Sequence, residues 1–111
     1  MKVPSKIPEK GFYYHYKHDP SGPINNYAYE FVNVGVHTEA HDREEDAFLC
    51  IYRPLYREAT VYGLGKFYDV RPLQMWMEDV TKDGKTFPRF KRITDPETLS
   101  KLESIREELY G

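Results

Sequence analysis

A chain of 111 residues, 40% hydrophobic and 31% charged, is one domain's worth, because two independent cores would each fall near the length at which folding alone becomes marginal. No apolar run approaches the ~20 residues of a membrane span, and 16 Lys plus Arg against 18 Asp plus Glu exclude a globally basic nucleic-acid coat. Aromatic residues reach 15%, with ten Tyr among them, so ring chemistry is the first thing to look for.

Residues 1–10 carry Pro4 and Pro8 among lysines, and read as an extended arm without the apolar core of a secretory signal. Gly11 opens Phe12-Tyr13-Tyr14-His15-Tyr16-Lys17, whose aromatic density predicts a strand. Residues 18–26 form a long loop rich in Asp, Pro, Gly and Asn. In Tyr27-Ala28-Tyr29-Glu30-Phe31 the large residues are odd-numbered, whereas Val32, Val34 and Val36 are even. A period of two that changes phase predicts a bulge near Phe31 and Val32, and such bulges let a small sheet curl.

The stretch from His37 to Asp46 is a polar, mostly acidic connection whose charges keep an exposed loop soluble. The continuous apolar run from Ala47 to Tyr52 predicts a central strand covered on both faces, which Pro54 ends. It contains Cys50, the single cysteine, which excludes an intrachain disulfide and reads as an inert core thiol in a reducing cytoplasm. Tyr62-Gly63-Leu64-Gly65-Lys66-Phe67 reads as two short strands around a glycine turn. Arg71-Pro72-Leu73 then begins a short turn or 3₁₀ piece leading into an extended run from Met75 to Val80. Asp83-Gly84 marks a hairpin with its return strand from Thr86 to Ile93. Thr94-Asp95-Pro96-Glu97 has capping-box spacing, and Leu99, Leu102, Ile105 and Leu109 recur near the helical period. An amphipathic helix over about 95–109, within a C-terminal unit 94–111, is expected to pack its leucine stripe on the β domain of residues 11–93.

Several of these segments, taken in order, carry a family resemblance. Gly11 to Lys17, His37-Thr38-Glu39, Tyr52-Arg53-Pro54-Leu55-Tyr56, Val70-Arg71-Pro72-Leu73-Gln74-Met75-Trp76, and Asp83-Gly84-Lys85 with Pro88-Arg89-Phe90 resemble the bacterial domain-of-unknown-function family 1653 over about residues 11–93. The resemblance implies a compact, mostly-β bacterial domain and brings no activity with it.

Three constellations bear on chemistry. His37, Glu39 and His41, if extended, share a face and converge like ligands of a divalent metal, with His15 as a further donor. The plainer reading pairs His37 with Glu39 by a hydrogen bond, and no metal or cofactor is expected. Tyr13, Tyr14, Tyr16, Tyr27, Tyr29, Tyr52, Tyr56, Tyr62, Tyr68 and Trp76 offer flat faces for stacking or for caging a cation, or else fill a small barrel. Lys82, Lys85, Arg89, Lys91 and Arg92, interleaved with Phe87 and Phe90, form a basic hairpin that is either solvated or meets phosphates. Arg53 and Arg71 each precede a proline, which holds an arginine as an anion fork or as a structural bridge. Gly63-Leu64-Gly65-Lys66 lacks the full phosphate-loop pattern.

The expected fold is a small curled antiparallel sheet or SH3-like barrel with one C-terminal α-helix. The expected function is a non-catalytic module binding a small polar or anionic ligand such as a nucleotide, or a nucleic-acid segment, through Tyr14, Tyr16, His37, Glu39, Arg53, Tyr56, Arg71 and Trp76. The rivals are an enzyme using His37 and Glu39 as acid–base pair or metal ligands, and a protein-interaction module built on the leucine helix or a free strand edge.

Overall fold

The computed structural model describes residues 3–39 and 47–111; most of the acidic run, including His41, lies outside them. Five strands, β1 (Gly11–His15), β2 (Ala28–Val36), β3 (Phe48–Pro54), β4 (Asp69–Pro72) and β7 (Phe90–Arg92), form an antiparallel sheet in the order β4-β3-β2-β1-β7. The sheet is open, with β4 and β7 as its edges, so of the two expected forms it is the curled sheet and not the barrel. A separate hairpin joins β5 (Asp79–Lys82) to β6 (Lys85–Pro88). Among the described residues three helices complete the architecture: α1 (Thr60–Gly65), α2 (Leu73–Met77) and α3 (Pro96–Tyr110).

The phase change in β2 is a bulge. Phe31 pairs with Tyr52 and Asn33 with Ile51, leaving Val32 as the extra residue. Tyr29 and Phe31 before the bulge and Val34 after it consequently pack into one core. β3 is an interior strand between β2 and β4 and ends at Pro54 as expected. The Asp83-Gly84 turn has both residues at positive φ, 53° and 74°, which is the backbone twist a two-residue hairpin requires.

Alternation along the strands builds two cores, one on each face of the sheet. Tyr13, Phe31, Cys50 and Tyr52 face Leu73 and Trp76 of α2. Phe12, Ala28, Leu55 and Ile93 face Leu102 of α3, with Leu99, Ile105 and Tyr110 packed around them. The leucine stripe therefore docks as its period implied. Within α3, Glu97 and Lys101 sit 3.3 Å apart as an (i, i+4) pair.

Four local readings are corrected. Residues 62–65 belong to helix α1 and not to two strands: Gly65 (φ 142°) and Lys66 (φ 60°) leave the helical region, and the N–H groups of Lys66 and Phe67 close back on the carbonyls of Tyr62 and Val61. The glycine thus ends a helical turn. Likewise Met75-Trp76-Met77 is helical, because burying Leu73 and Trp76 from so short a segment needs the (i, i+3) spacing of a helix. The return strand of the hairpin is broken at Arg89, whose N–H donates to the Glu78 carbonyl while its own carbonyl accepts from the Tyr16 N–H. There the chain leaves the hairpin and joins the main sheet. At the start of α3 the cap is Asp95, whose carboxylate accepts the Thr98 N–H at 3.0 Å and the Thr98 hydroxyl at 2.7 Å; Thr94 does not serve as the cap.

Candidate functional site

Cross-strand register decides which side chains share a face. The pairs Tyr13 with Tyr29, Phe31 with Tyr52, Cys50 with Arg71, Tyr52 with Asp69, and His15 with Phe90 put these residues on the α2 side of the sheet. At the end of that face bearing His15 and Tyr29 the aromatic core opens to solvent. The rings of Tyr29, Tyr52 and Phe90 lie 5.6 to 6.1 Å apart, and the His15 ring sits 5.1 Å from Phe90 and 5.6 Å from Tyr27. The Tyr29 and Tyr56 hydroxyls bond to each other, with Tyr27 on the exposed side, 6.5 Å from Tyr56.

Arg71 is the cation of this patch. Its Nε donates to the Tyr52 hydroxyl at 3.3 Å, and its guanidinium carbon lies 5.5 Å from the Phe90 ring centroid. Its two terminal nitrogens make no hydrogen bond to the described residues. Asp69, two residues back on the same face, is half-buried, and burial raises its carboxyl above the ordinary range although the nearby Arg71 pulls it down. Burial likewise raises Tyr29, Tyr52 and Tyr56, so all three remain neutral phenols.

His15 is pushed down to about 4 by burial first and by the charges of Arg71, Lys17 and Arg89 after it. Its Nδ1 accepts the Lys17 N–H at 3.2 Å, so the neutral ring carries its proton on Nε2 and is a donor there. Because the folded value lies below the unfolded one, the unfolded chain takes up the extra proton between about pH 6.5 and 4, and stability falls as pH drops through that window. In urea titrations at stepped pH, His15→Gln is expected to show a shallower acid loss than the wild-type chain; equal slopes would refute the buried neutral imidazole.

The structure gathers some of the sequence-predicted residues and separates others. Arg71, Tyr56 and Trp76 lie in or under the patch, and Tyr16 lies at its margin with its ring tilted against His15 at 4.4 Å and Phe87 at 5.7 Å. Tyr14 faces the other side, where its ring stacks on His18 at 3.5 Å and its hydroxyl donates to the Ile24 carbonyl. Arg53 is on that side too, bound to Glu30 at 2.8 Å and lying 4.0 Å from the Tyr110 ring centroid. His37 and Glu39 are exposed beyond the far end of β2, about 30 Å of strand away from the His15 end, so His15 cannot join them as a ligand. The link between them runs from the Glu39 backbone N–H to His37 Nδ1 at 3.1 Å, without the carboxylate. Among the described residues no cluster of His, Cys, Asp or Glu has the spacing of a metal site.

The other groups singled out in the sequence are structural or solvated. Cys50 is fully buried, and burial pushes its thiol up to about 12, which leaves no thiolate for chemistry. Lys82, Lys85, Lys91 and Arg92 are exposed while Phe90 is core, and Arg89 pairs with Glu78 at 3.4 Å. Sequence reasoning missed the weight of His15, Tyr27, Tyr29 and Asp69. The signal was present in the parity of β1: once Tyr13 is core, His15 shares its face and Tyr14 does not.

A family pattern matches residues 11–92, from β1 to β7, and so contains the whole patch. The chain belongs to the DUF1653 family. DUF1653 is described as a protein of unknown function, so membership assigns the patch no activity. No curated protein and no solved structure matches the chain. Helix α3 lies beyond the DUF1653 segment, and the sheet face it covers is the one opposite the patch.

Proposed function

We propose that the chain is a non-catalytic binding module that takes a small anionic ligand such as a nucleotide on the patch around Arg71. The observation that carries this reading is a guanidinium half-buried among aromatic rings with both terminal nitrogens unpartnered among the described residues. A guanidinium in that state is matched by the two oxygens of a carboxylate or phosphate, and partial exclusion of water strengthens the pair. The exposed Tyr27 and the half-buried Tyr56 offer faces for a flat base, and neutral His15 adds a donor without repelling the arginine. The enzyme reading gains no support from His37 and Glu39, which stand exposed with no desolvated surroundings. A bacterial cytoplasm is the setting we propose, which a chain with a single buried thiol fits.

Calorimetric titration with AMP and with inorganic phosphate tests the reading. Arg71→Gln is expected to weaken AMP binding about tenfold or more, whereas Arg53→Gln, on the opposite face, leaves it near the wild-type value. No heat with either probe, or equal losses in both variants, would remove the patch as an anion site.

A further inference from the structure

The two edges of the main sheet are unlike. β7 spans three residues and exposes Lys91 and Arg92, the charges that blunt an edge against pairing. β4 instead presents Val70, 60% exposed, and is preceded by the exposed Leu64 and Phe67. Among the described residues no hydrogen bond reaches the outer side of β4.

Pro72 fixes which backbone groups point outward. It pairs with Leu49, and having no N–H it cannot belong to a pair that exchanges two hydrogen bonds. Leu49 with Pro72 and Ile51 with Val70 are therefore the non-bonded pairs, and the bonds run between Cys50 and Arg71 and between Tyr52 and Asp69. It follows that the Val70 N–H and C=O, and the Pro72 C=O, face away from β3.

We propose that β4 pairs antiparallel with β4 of a second copy of this chain about a two-fold axis at Val70, joining the two sheets into one. Asp69-Val70-Arg71 is complementary to itself when reversed: Val70 meets the partner's Val70, and Asp69 faces the partner's Arg71 while Arg71 faces the partner's Asp69. This isologous match names a second copy as the occupant. A four-residue ribbon alone buries less than the ~1,200 Å² of a stable interface, so apolar flanks are required. The reversal supplies them, because it brings Phe67 at one end of β4 to the level of α2 in the second copy, where Met75 is exposed. The pairing requires no ligand, but it engages Arg71, the same guanidinium that the proposed anion site uses.

Sedimentation velocity of the full chain from micromolar to near-millimolar concentration tests it, with circular dichroism confirming that each variant is folded. The wild-type chain is expected to pass from monomer to dimer mass. Val70→Pro deletes the outward N–H, spares the bonds to β3 and is expected to stay monomeric. Asp69→Arg sets like charges opposite each other and is expected to weaken the dimer about tenfold, and Asp69→Arg with Arg71→Asp restores it. Where Val70→Pro fails to fold, the two charge variants decide the matter. A wild-type chain monomeric throughout, or a dimer unchanged by Asp69→Arg, overturns the proposal.

Discussion

Trp76→Ala is expected to cost about 3–5 kcal/mol of unfolding free energy in urea titration, the range for deleting a buried large aromatic. Trp76 is 3% exposed. It stacks on Phe90 with ring centroids 3.7 Å apart and an interplanar angle of 6°, and it meets Tyr13, Phe31 and Tyr52 at 5.0 to 5.5 Å. Helix α2 is five residues long and lacks a side-chain cap, so it has little stability of its own; Leu73 and Trp76 are what hold it to the sheet. Removing the indole leaves a cavity and releases the helix together. The effect extends to the patch, because Phe90 also lies beneath Arg71 and beside His15. Trp76→Phe, which keeps a ring, is expected to retain most of the stability. A loss below about 1 kcal/mol in Trp76→Ala would show that the four strands carrying these rings close over the gap.

Much of the fold was legible because its signals are local. The change of parity after Phe31 located the bulge, the Asp83-Gly84 pair located the hairpin, and the spacing of Leu99, Leu102, Ile105 and Leu109 located the docking face of α3. The readings that failed concern segments whose conformation is settled by what they touch. Gly63 and Gly65 are compatible with either a strand turn or a helix end, and the bonds from Lys66 and Phe67 to Tyr62 and Val61 decide between them. Met75 to Met77 follow a helix because Trp76 and Leu73 must reach one core. The site was legible in its residue types and less so in its grouping. Arg53 and Arg71 both precede prolines, but they occupy opposite faces because Arg53 neighbours the inward Tyr52 in β3 whereas Arg71 pairs with the inward Cys50. That distinction needs the register between β3 and β4, which no single strand encodes.

On the other face of the sheet, the largest effect is expected at Glu30. Its carboxylate takes Arg53 Nε at 2.8 Å and Arg106 Nη1 at 3.8 Å, and so ties β2, β3 and α3 together. The Arg53 and Glu30 side chains are only 15% and 18% exposed, while Arg53 also stands 4.0 Å from the ring centroid of Tyr110, the last residue of α3. Removing one member of such a buried set strands the charges that remain. Glu30→Ala is therefore expected to cost about 2–4 kcal/mol, somewhat under the full buried value because Arg106 keeps part of its hydration. The diagnostic is the cycle with Arg53→Met: the double variant is expected to be more stable than Glu30→Ala alone, since it deletes the stranded cation together with its partner. Exposed pairs such as Arg57 with Glu108 should show no such rescue, because water already screens each charge. Additive losses in the cycle, or a Glu30→Ala cost under about 1 kcal/mol, would place this bridge among the surface pairs and leave the attachment of α3 to Leu102, Leu109 and the bond from the Tyr110 hydroxyl to the Pro54 carbonyl.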